Sequence, residues 1–301
     1  MSSTATWTLV ESAPLPDPVI SIKGLRKSYG ETEAVRGIDL EVNRGEVFGF
    51  LGPNGAGKTT TVEILEGYRK RSGGEVSVLG EDPERAGREW REQIGIVLQS
   101  GRLDPYLTVR ESLDLYAGYF RNPRPTEDVI ALIGLEGKAD ERASRLSGGQ
   151  QRRLDVGMAL VGDPELLFLD EPTTGFDPSA RRQAWEVIAG LRDLGKTVFL
   201  TTHYMDEAQR LADRVTIIAA GEIVARGTPE DLGGRERGET TIRYRQNGRE
   251  VVTRTATPVQ TLHELTSQAL ADGESLEGLE VTRPSLEDVY LDLTAQSEAA
   301  E

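Results

Sequence analysis

Short apolar runs and helical spacing alternate through the middle of the chain. The runs at 47–51, 94–98, 166–169 and 197–202 suit buried strands, and apolar residues at helical spacing follow several of them, as at 185–191. An apolar run without alternation is typical of a central parallel strand that is covered on both faces. Strands that alternate with helices predict a parallel α/β sheet, whose ligands bind at the carboxyl ends of the strands.

The chain before this region is rich in predicted strands, at 19–22, 34–42 and 75–80. Residues 25–30 follow the first of them. Between about 100 and 145 the pattern changes to short helices, and Thr108 and Glu111 have the spacing of a capping box. These features predict a helical insertion in an α/β domain.

Composition divides the chain into five segments. We expect a flexible arm at 1–18, an α/β domain at 19–232, a linker at 233–240, a small α+β domain at 241–295 and a disordered tail at 296–301. In the small domain, Asn247-Gly248 between two alternating runs predicts a hairpin. A helix at 261–270, a strand at 279–281 and a last helix from 286 to 293 should follow it. This domain is either a regulatory or dimerisation module or a plain stabilising cap.

Charge and composition exclude several classes of protein. The 301 residues include 50 acidic and 35 basic ones, so the net charge of −15 is unsuited to a sequence-independent nucleic-acid binder. The chain has no cysteine, which excludes disulfides and thiol catalysis. The lack of disulfides fits a cytosolic location. The sequence shows no apolar run long enough for a membrane span and no signal-peptide pattern at its start. Work at a membrane would therefore require a partner protein.

A phosphate-binding loop lies between the strand at 47–51 and the helical pattern that follows it. Its residues are Gly52, Pro53, Asn54, Gly55, Ala56, Gly57, Lys58, Thr59 and Thr60. Glycines let the backbone N–H groups turn inward, and the next helix adds its positive N-terminal end. We expect Lys58 to meet the β- and γ-phosphates of a nucleotide and the Thr59 hydroxyl to hold Mg²⁺.

Two further strands deliver polar residues at their carboxyl ends. The run at 166–169 ends in Asp170-Glu171, and in phosphate-loop proteins an aspartate at this place supports Mg²⁺. The adjacent Glu171 could orient and deprotonate a water that attacks the γ-phosphate. His203 follows the strand at 197–202 directly. By itself a histidine there is more often structural.

The chain resembles an ATP-binding-cassette (ABC) ATPase over about 19–232. The motifs in family order are Tyr29, Gly52–Thr60, Gln99, the family signature Leu146-Ser147-Gly148-Gly149-Gln150, 166–171, Asp177 and His203. The resemblance implies a RecA-like parallel sheet core with an antiparallel β subdomain and a helical subdomain. It also implies ATP and Mg²⁺ as ligands and Mg-dependent ATPase activity.

The resemblance also gives roles to single residues. Tyr29 would stack on adenine, Gln99 would sense Mg²⁺ and the attacking water, and Asp170 would support the metal from its second shell. Glu171 would be the general base, and His203 would contact the γ-phosphate.

The signature implies a second copy of the chain. Ser147, Gly148, Gly149 and Gln150 would act on the ATP of the opposite subunit in a head-to-tail dimer, and Asp177 would lie at that junction. Each phosphate loop would then hold half of a site.

Within the family, the sequence at 151–178 and at 283–290 looks like that of bacterial drug-resistance exporters of the ABC-2 type, including daunorubicin-resistance proteins. This resemblance implies an ABC-2 type permease as partner and a cytoplasmic location against the cell membrane. A soluble ABC ATPase for translation, DNA repair or assembly is the alternative.

Overall fold

The computed structural model describes residues 18–98, 103–232, 240–246, 249–273 and 275–282. The strands are β1 (Ile20–Tyr29), β2 (Thr32–Val42), β3 (Val47–Leu51), β4 (Gly73–Val78), β5 (Ile94–Val97), β6 (Leu166–Asp170), β7 (Thr197–Thr202), β8 (Arg214–Ala219), β9 (Glu222–Gly227), β10 (Thr240–Gln246), β11 (Arg249–Thr255) and β12 (Glu277–Thr282). The helices are α1 (Lys58–Leu65), α2 (Arg88–Arg91), α3 (Val109–Ala117), α4 (Thr126–Leu132), α5 (Gly148–Leu160), α6 (Pro178–Asp193), α7 (Met205–Leu211) and α8 (Pro258–Asp272).

Some predictions concern segments that lie outside the described residues. They are the terminal arm, Gln99, most of the linker, the Asn247-Gly248 turn, and the chain beyond Thr282 with its last predicted helix.

The central sheet has six strands in the order β5-β6-β7-β3-β8-β9. The pairs from β5 to β8 are parallel, which confirms the predicted parallel sheet, and β9 pairs antiparallel with β8 at the edge. Ala220 and Gly221 join β8 to β9, and both have positive φ, as two-residue hairpin turns require. Because β3 lies between β7 and β8, the loop after β3 emerges in the middle of the sheet edge.

Alternate residues of the central strands enter two different cores. One face carries Phe48, Phe168 and Phe199, and the rings of Phe48 and Phe168 lie 5.5 and 5.8 Å from that of Phe199. The other face carries aliphatic side chains such as Val47 and Leu167, which pack with the helical region. Both faces of the sheet are therefore dry, as the unbroken apolar runs predict.

An antiparallel sheet in the order β2-β1-β4 covers the aromatic face together with α1. The predicted strand at 19–22 and the residues that follow it at 25–30 contribute to the single strand β1, which has a register shift between Ile22 and Leu25. Gly24 lies in this shift with φ +57°, and its N–H donates to Asp39 Oδ1 at 2.7 Å. The bulge explains why the alternation along the sequence is interrupted there.

The helical insertion consists of α3 and α4, which pack against α5. Thr108 and Glu111 form the predicted capping box at the start of α3. Gly157 in α5 lies so close to α4 that an added Cβ would approach Ile133 Cδ1 to 2.8 Å. The insertion is thus anchored to the sheet by way of α5.

Near the end of the chain, β10, β11 and β12 form an antiparallel sheet in the order β11-β10-β12. The predicted hairpin is confirmed, with Gln246 opposite Arg249, and so is the following helix, α8. In this sheet, the apolar side chains of Ile242 and Tyr244 in β10 are buried.

Trp90, in the short helix α2 that the sequence analysis did not predict, joins the antiparallel sheet to the core. Its side chain is 1% exposed, and its Nε1–H donates to the Val78 carbonyl at 2.8 Å. We expect Trp90→Ala to lower the free energy of unfolding by about 3–5 kcal/mol, because it leaves a cavity and an unpaired carbonyl. Urea denaturation followed by circular dichroism measures this loss. Leu270→Ala, at an 82% exposed position, is the control and should change stability little; equal effects of both substitutions would contradict the assignment.

Candidate active site

The loop after β3 folds as it does because three of its positions admit only glycine. At Gly52 an added Cβ would lie 2.3 Å from the Ile218 carbonyl oxygen. At Gly57, which has φ +102°, it would lie 2.5 Å from the Ala34 carbonyl oxygen, and Gly55 has φ +83°. The loop is therefore pressed against β2 and β8, and Asn54 and Thr59 remain exposed.

Lys58 turns back into this loop. Its side chain is 6% exposed, and Nζ donates to the carbonyls of Gly52 at 2.7 Å and Pro53 at 3.1 Å. Glu171 Oε1 lies 3.9 Å from Nζ. Burial lowers the pKa of Lys58, while Glu171 and Asp170 act in the opposite direction. The ammonium group of Lys58 thus lies where the loop can receive phosphate oxygens.

The two acidic residues after β6 are fixed by Thr201 of the neighbouring β7. The Thr201 hydroxyl donates to Asp170 Oδ1 at 2.5 Å and accepts from the Glu171 N–H at 3.1 Å. Glu171 has φ +44°, a left-handed conformation that is uncommon for residues other than glycine and is found at functional sites. One hydroxyl therefore holds the carboxylate of Asp170 and the backbone of Glu171.

The residues fit a Mg²⁺ ion that is bound together with phosphates. Among the described residues, no group of three or more histidine and carboxylate side chains could hold a metal ion. Mg²⁺ in nucleotide sites takes only one or two protein ligands and completes its shell with phosphate oxygens and water. The exposed hydroxyl of Thr59, beside Lys58 at the start of α1, and the oriented carboxylate of Asp170 provide this kind of donor set.

His203, at the end of β7, reaches the same place. Its Nδ1 lies 3.3 Å from Glu171 Oε1. This buried Nδ1 has no hydrogen-bond partner in the described part of the chain. The His203 ring packs on Tyr204, with 4.1 Å between the ring centres. The structure thus brings together Lys58, Glu171 and His203, which follow three different strands. Their individual roles stay predictions.

Tyr29 lies next to the phosphate loop. Its Oη is 3.5 Å from Thr60 Oγ1, and the cationic groups of Lys27 and Arg69 lie 5.0 and 5.3 Å from its ring centre. The residue is 42% exposed, so it is not a core tyrosine. An exposed ring at this place can stack on a planar base.

The signature residues lie at the start of α5. Ser147 is the N-cap and forms a capping box with Gln150. An added Cβ at Gly149 would lie 3.0 Å from Ala180 Cβ, so α5 begins beside the start of α6. There the Asp177 carboxylate accepts hydrogen bonds from the N–H groups of Ser179 and Ala180. These hydrogen bonds, that from Ala180 most of all, lower the pKa of Asp177. Ser147 and Asp177 thus mark one surface, and Ser147 is exposed on it.

Gln99 lies outside the described residues, but its neighbour Leu98 is held by Arg152. The Arg152 guanidinium donates to the carbonyls of Leu98, Asp170 and Pro172, the last two at 3.0 and 3.1 Å. Arg152 therefore links α5, the end of β6 and the residue before Gln99.

Sequence reasoning missed both Arg152 and Thr201. A polar residue at the carboxyl end of a buried strand, the signal that identified Asp170, could also have identified Thr201. Arg152 offers no such signal, because an arginine in a helix is usually exposed.

Comparison with known proteins connects this geometry to a family. A family model described as ABC transporter matches residues 35–174. Nod factor export ATP-binding protein I of Ralstonia nicotianae is 44% identical over 220 residues, which cover 71% of this chain and 68% of that protein. The protein of the same name from Cupriavidus pinatubonensis is 38% identical over 307 aligned positions, and the match covers 94% of each chain. The second match extends well beyond β9.

Solved structures of similar fold are ATP-binding cassettes. The structure of cbiO1 from Clostridium perfringens, part of the ABC transporter complex cbiONQ, has a TM-score of 0.67 and 27% identity and covers 73% of this chain and 92% of its own. The dimeric ATP-binding cassette MJ0796, bound to ADP and Pi in a post-hydrolysis state, has a TM-score of 0.62 and 26% identity, and covers 69% of this chain and 98% of its own.

Lys58→Ala should weaken Mg-ATP binding at least about tenfold, since it removes charge-assisted hydrogen bonds to phosphate. Isothermal titration calorimetry with Mg-ATP measures the affinity. Lys70→Ala, at an exposed lysine close to the end of α1, is the matched control and should bind as the unaltered chain does. Unchanged affinity in Lys58→Ala would show that the ammonium does not meet phosphate.

Thr201→Val keeps the shape of the side chain and removes the hydroxyl that orients Asp170 and Glu171. We expect kcat for ATP hydrolysis to fall about tenfold while KM changes less than about twofold, because the groups that act in the transition state are misplaced. Thr216→Val, at a buried threonine of β8, controls for the loss of a hydroxyl from the sheet. Equal kcat values for Thr201→Val and the unaltered chain would refute this positioning role.

Proposed function

This chain belongs to the ABC transporter ATPase family, and we propose that it is the ATP-binding and hydrolysing subunit of an exporter with a separate permease of the ABC-2 type. The main support is the convergence of Lys58, Glu171 and His203 at the edge of the parallel sheet. ATP is the substrate there, and Mg²⁺ neutralises phosphate charge when it is bound.

Hydrolysis follows from the placement of these groups. Lys58 would hold the β- and γ-phosphates, and Thr59 and Asp170 would hold or orient Mg²⁺. Glu171 would take a proton from water as the water oxygen attacks the γ-phosphorus. The bond between the γ-phosphorus and the bridging oxygen breaks, and the products are ADP and inorganic phosphate. His203, next to Glu171, would contact the γ-phosphate during this step.

We infer that the working unit is a head-to-tail dimer. Ser147 and Gly148 are exposed at the start of α5, where N–H groups and the positive helix end suit a phosphate. The phosphate loop of the same chain already has Lys58 and the start of α1 for that task. The signature would therefore serve the ATP of a second copy, and loss of the γ-phosphate would open the dimer.

The exporter assignment is supported by the names of the relatives, which are ATP-binding proteins of Nod factor export. In the described part of this chain, no helix has the length and apolarity to cross a membrane. A permease would therefore supply the membrane path and select the substrate, and the chain would work at the cytoplasmic face of the membrane. The alternative of a soluble ABC ATPase has no support among these relatives. Export of a drug or antibiotic stays our prediction from the sequence at 151–178 and 283–290.

Glu171→Gln tests the proposed chemistry. The amide cannot accept the proton of the attacking water, so we expect ATP affinity to persist while kcat falls about 100-fold or more. Phosphate release measures turnover, and gel filtration in Mg-ATP should show a stable dimer. Glu222→Gln, at an exposed glutamate of β9, is the matched control. Turnover at the unaltered rate in Glu171→Gln would overturn the assignment of the base.

A further inference from the structure

A buried glutamate lies between three segments that surround the proposed hydrolytic centre. Glu207 of α7 is 0% exposed, and one of its carboxyl oxygens, Oε1, accepts two hydrogen bonds. The Thr173 hydroxyl donates to it at 2.8 Å, and the Trp185 indole Nε1–H donates to it at 3.0 Å. Thr173 lies shortly after β6, and Trp185 belongs to α6. One oxygen therefore links α7 to α6 and to the turn after β6.

Thr173 belongs to the turn that begins with Glu171. The next residue, Thr174, donates its hydroxyl to Glu171 Oε2 and its N–H to the Glu171 carbonyl, both at 3.2 Å. Thr173 is 0% exposed, whereas Thr174 is exposed, so Thr173 attaches this turn to the interior of the protein. A shift of Thr173 would therefore move the group that holds the Glu171 carboxylate.

The two helices that Glu207 links begin beside other residues of the site. Asp177 is the N-cap of α6, and Tyr204, the N-cap of α7, directly follows His203. The Arg181 guanidinium of α6 lies 4.3 Å from the centre of the Tyr204 ring, which in turn lies 4.1 Å from that of His203. The contact between α6 and α7 thus extends to His203.

Burying the carboxyl group of Glu207 costs free energy that packing alone would not require. Burial raises the pKa of Glu207, although hydrogen bonds from neighbouring side chains act in the opposite direction. An apolar side chain of similar size would fill the same space without this cost. It would leave the Thr173 hydroxyl and the Trp185 N–H without their acceptor. What the carboxyl group adds is therefore a defined placement of these two donors.

We propose that Glu207 is a positioning residue for ATP hydrolysis. Its Oε1 fixes Thr173, and through this turn Glu171, relative to the helices that begin beside Asp177 and His203. The inference rests on the proposed function, since it takes Glu171 as the general base. The phosphate loop, which binds ATP, follows a different strand. Loss of this acceptor should therefore slow the hydrolytic step and leave binding nearly unchanged.

Glu207→Met removes the acceptor and keeps an unbranched side chain of similar size. We expect kcat for ATP hydrolysis to fall about tenfold, while the affinity for Mg-ATP, measured by isothermal titration calorimetry, changes less than about twofold. Glu207→Gln keeps an oxygen that can accept from both donors, so its kcat should stay within about twofold of that of the unaltered chain. An unaltered kcat in Glu207→Met, or equal losses in both variants, would overturn the proposal.

Thr173→Val removes one of the same hydrogen bonds from the side of the turn and tests the proposal even if Glu207→Met does not fold. Valine keeps the shape of the side chain, and we expect kcat to fall about fivefold. When Thr173→Val and Glu207→Met are combined, the two losses should not multiply, because they remove a shared hydrogen bond. Losses that multiply, or an unaltered kcat in Thr173→Val, would contradict the positioning role.

Arg192→Gln is the matched control. Arg192 pairs with Asp213 at 3.2 Å and so joins α6 to the segment after α7, but it lies at the opposite end of α6 from Asp177. Its kcat should stay within about twofold of that of the unaltered chain. A fall as large as that in Glu207→Met would show that any weakened contact of α6 slows hydrolysis, and the assignment to Glu207 would be wrong.

Comparison with Glu171→Gln separates this inference from the proposed function. If hydrolysis depends on Glu171 but not on Glu207, the positioning role is wrong and the proposed chemistry stands. If hydrolysis is independent of Glu171, the proposed chemistry fails, and the positioning role fails with it.

Discussion

The site depends on keeping one ammonium, that of Lys58, almost out of water beside carboxylates. An isolated buried cation would be very costly, and Lys58 is tolerated because two loop carbonyls and the nearby Glu171 surround it. Those partners directly follow β3 and β6, which are both adjacent to β7. The central sheet, which is buried on both faces, fixes the spacing of these partners. The apolar runs therefore position the site as well as stabilising the fold.

The end of β6 combines an uncommon backbone conformation with several hydrogen bonds. Glu171 adopts a left-handed backbone conformation, and its N–H and the carboxylate of Asp170 share the hydroxyl of Thr201. A small change on β7 would therefore displace Glu171, which we propose as the general base. Arg152 connects this point to Leu98 and thus to the loop of Gln99. One buried guanidinium thus contacts both the end of β6 and the residue before Gln99.

Two surfaces of the chain differ in kind. The signature surface at Ser147 is exposed, small and rich in N–H groups, which suits a phosphate of a second copy. The cleft lined by Glu66 and Asp155 has exposed tyrosine rings at its border and mostly buried carboxyl groups within.

The sequence by itself determined the parallel sheet, the phosphate loop, the capping box of α3, and the hairpin of β10 and β11. These features follow from local spacing, since a strand, a cap or a tight turn is determined by a few neighbouring residues. It did not identify β8 and β9, α2 or the bulge at Gly24, because their polar and apolar pattern is short or interrupted. Only the tertiary structure decided that Thr201 bridges Asp170 and Glu171, that Arg152 is buried, and that Glu66 and Asp155 share a cleft. Each of these contacts joins residues that are far apart in the chain, and burial then gives them charges and pKa values that no local pattern contains.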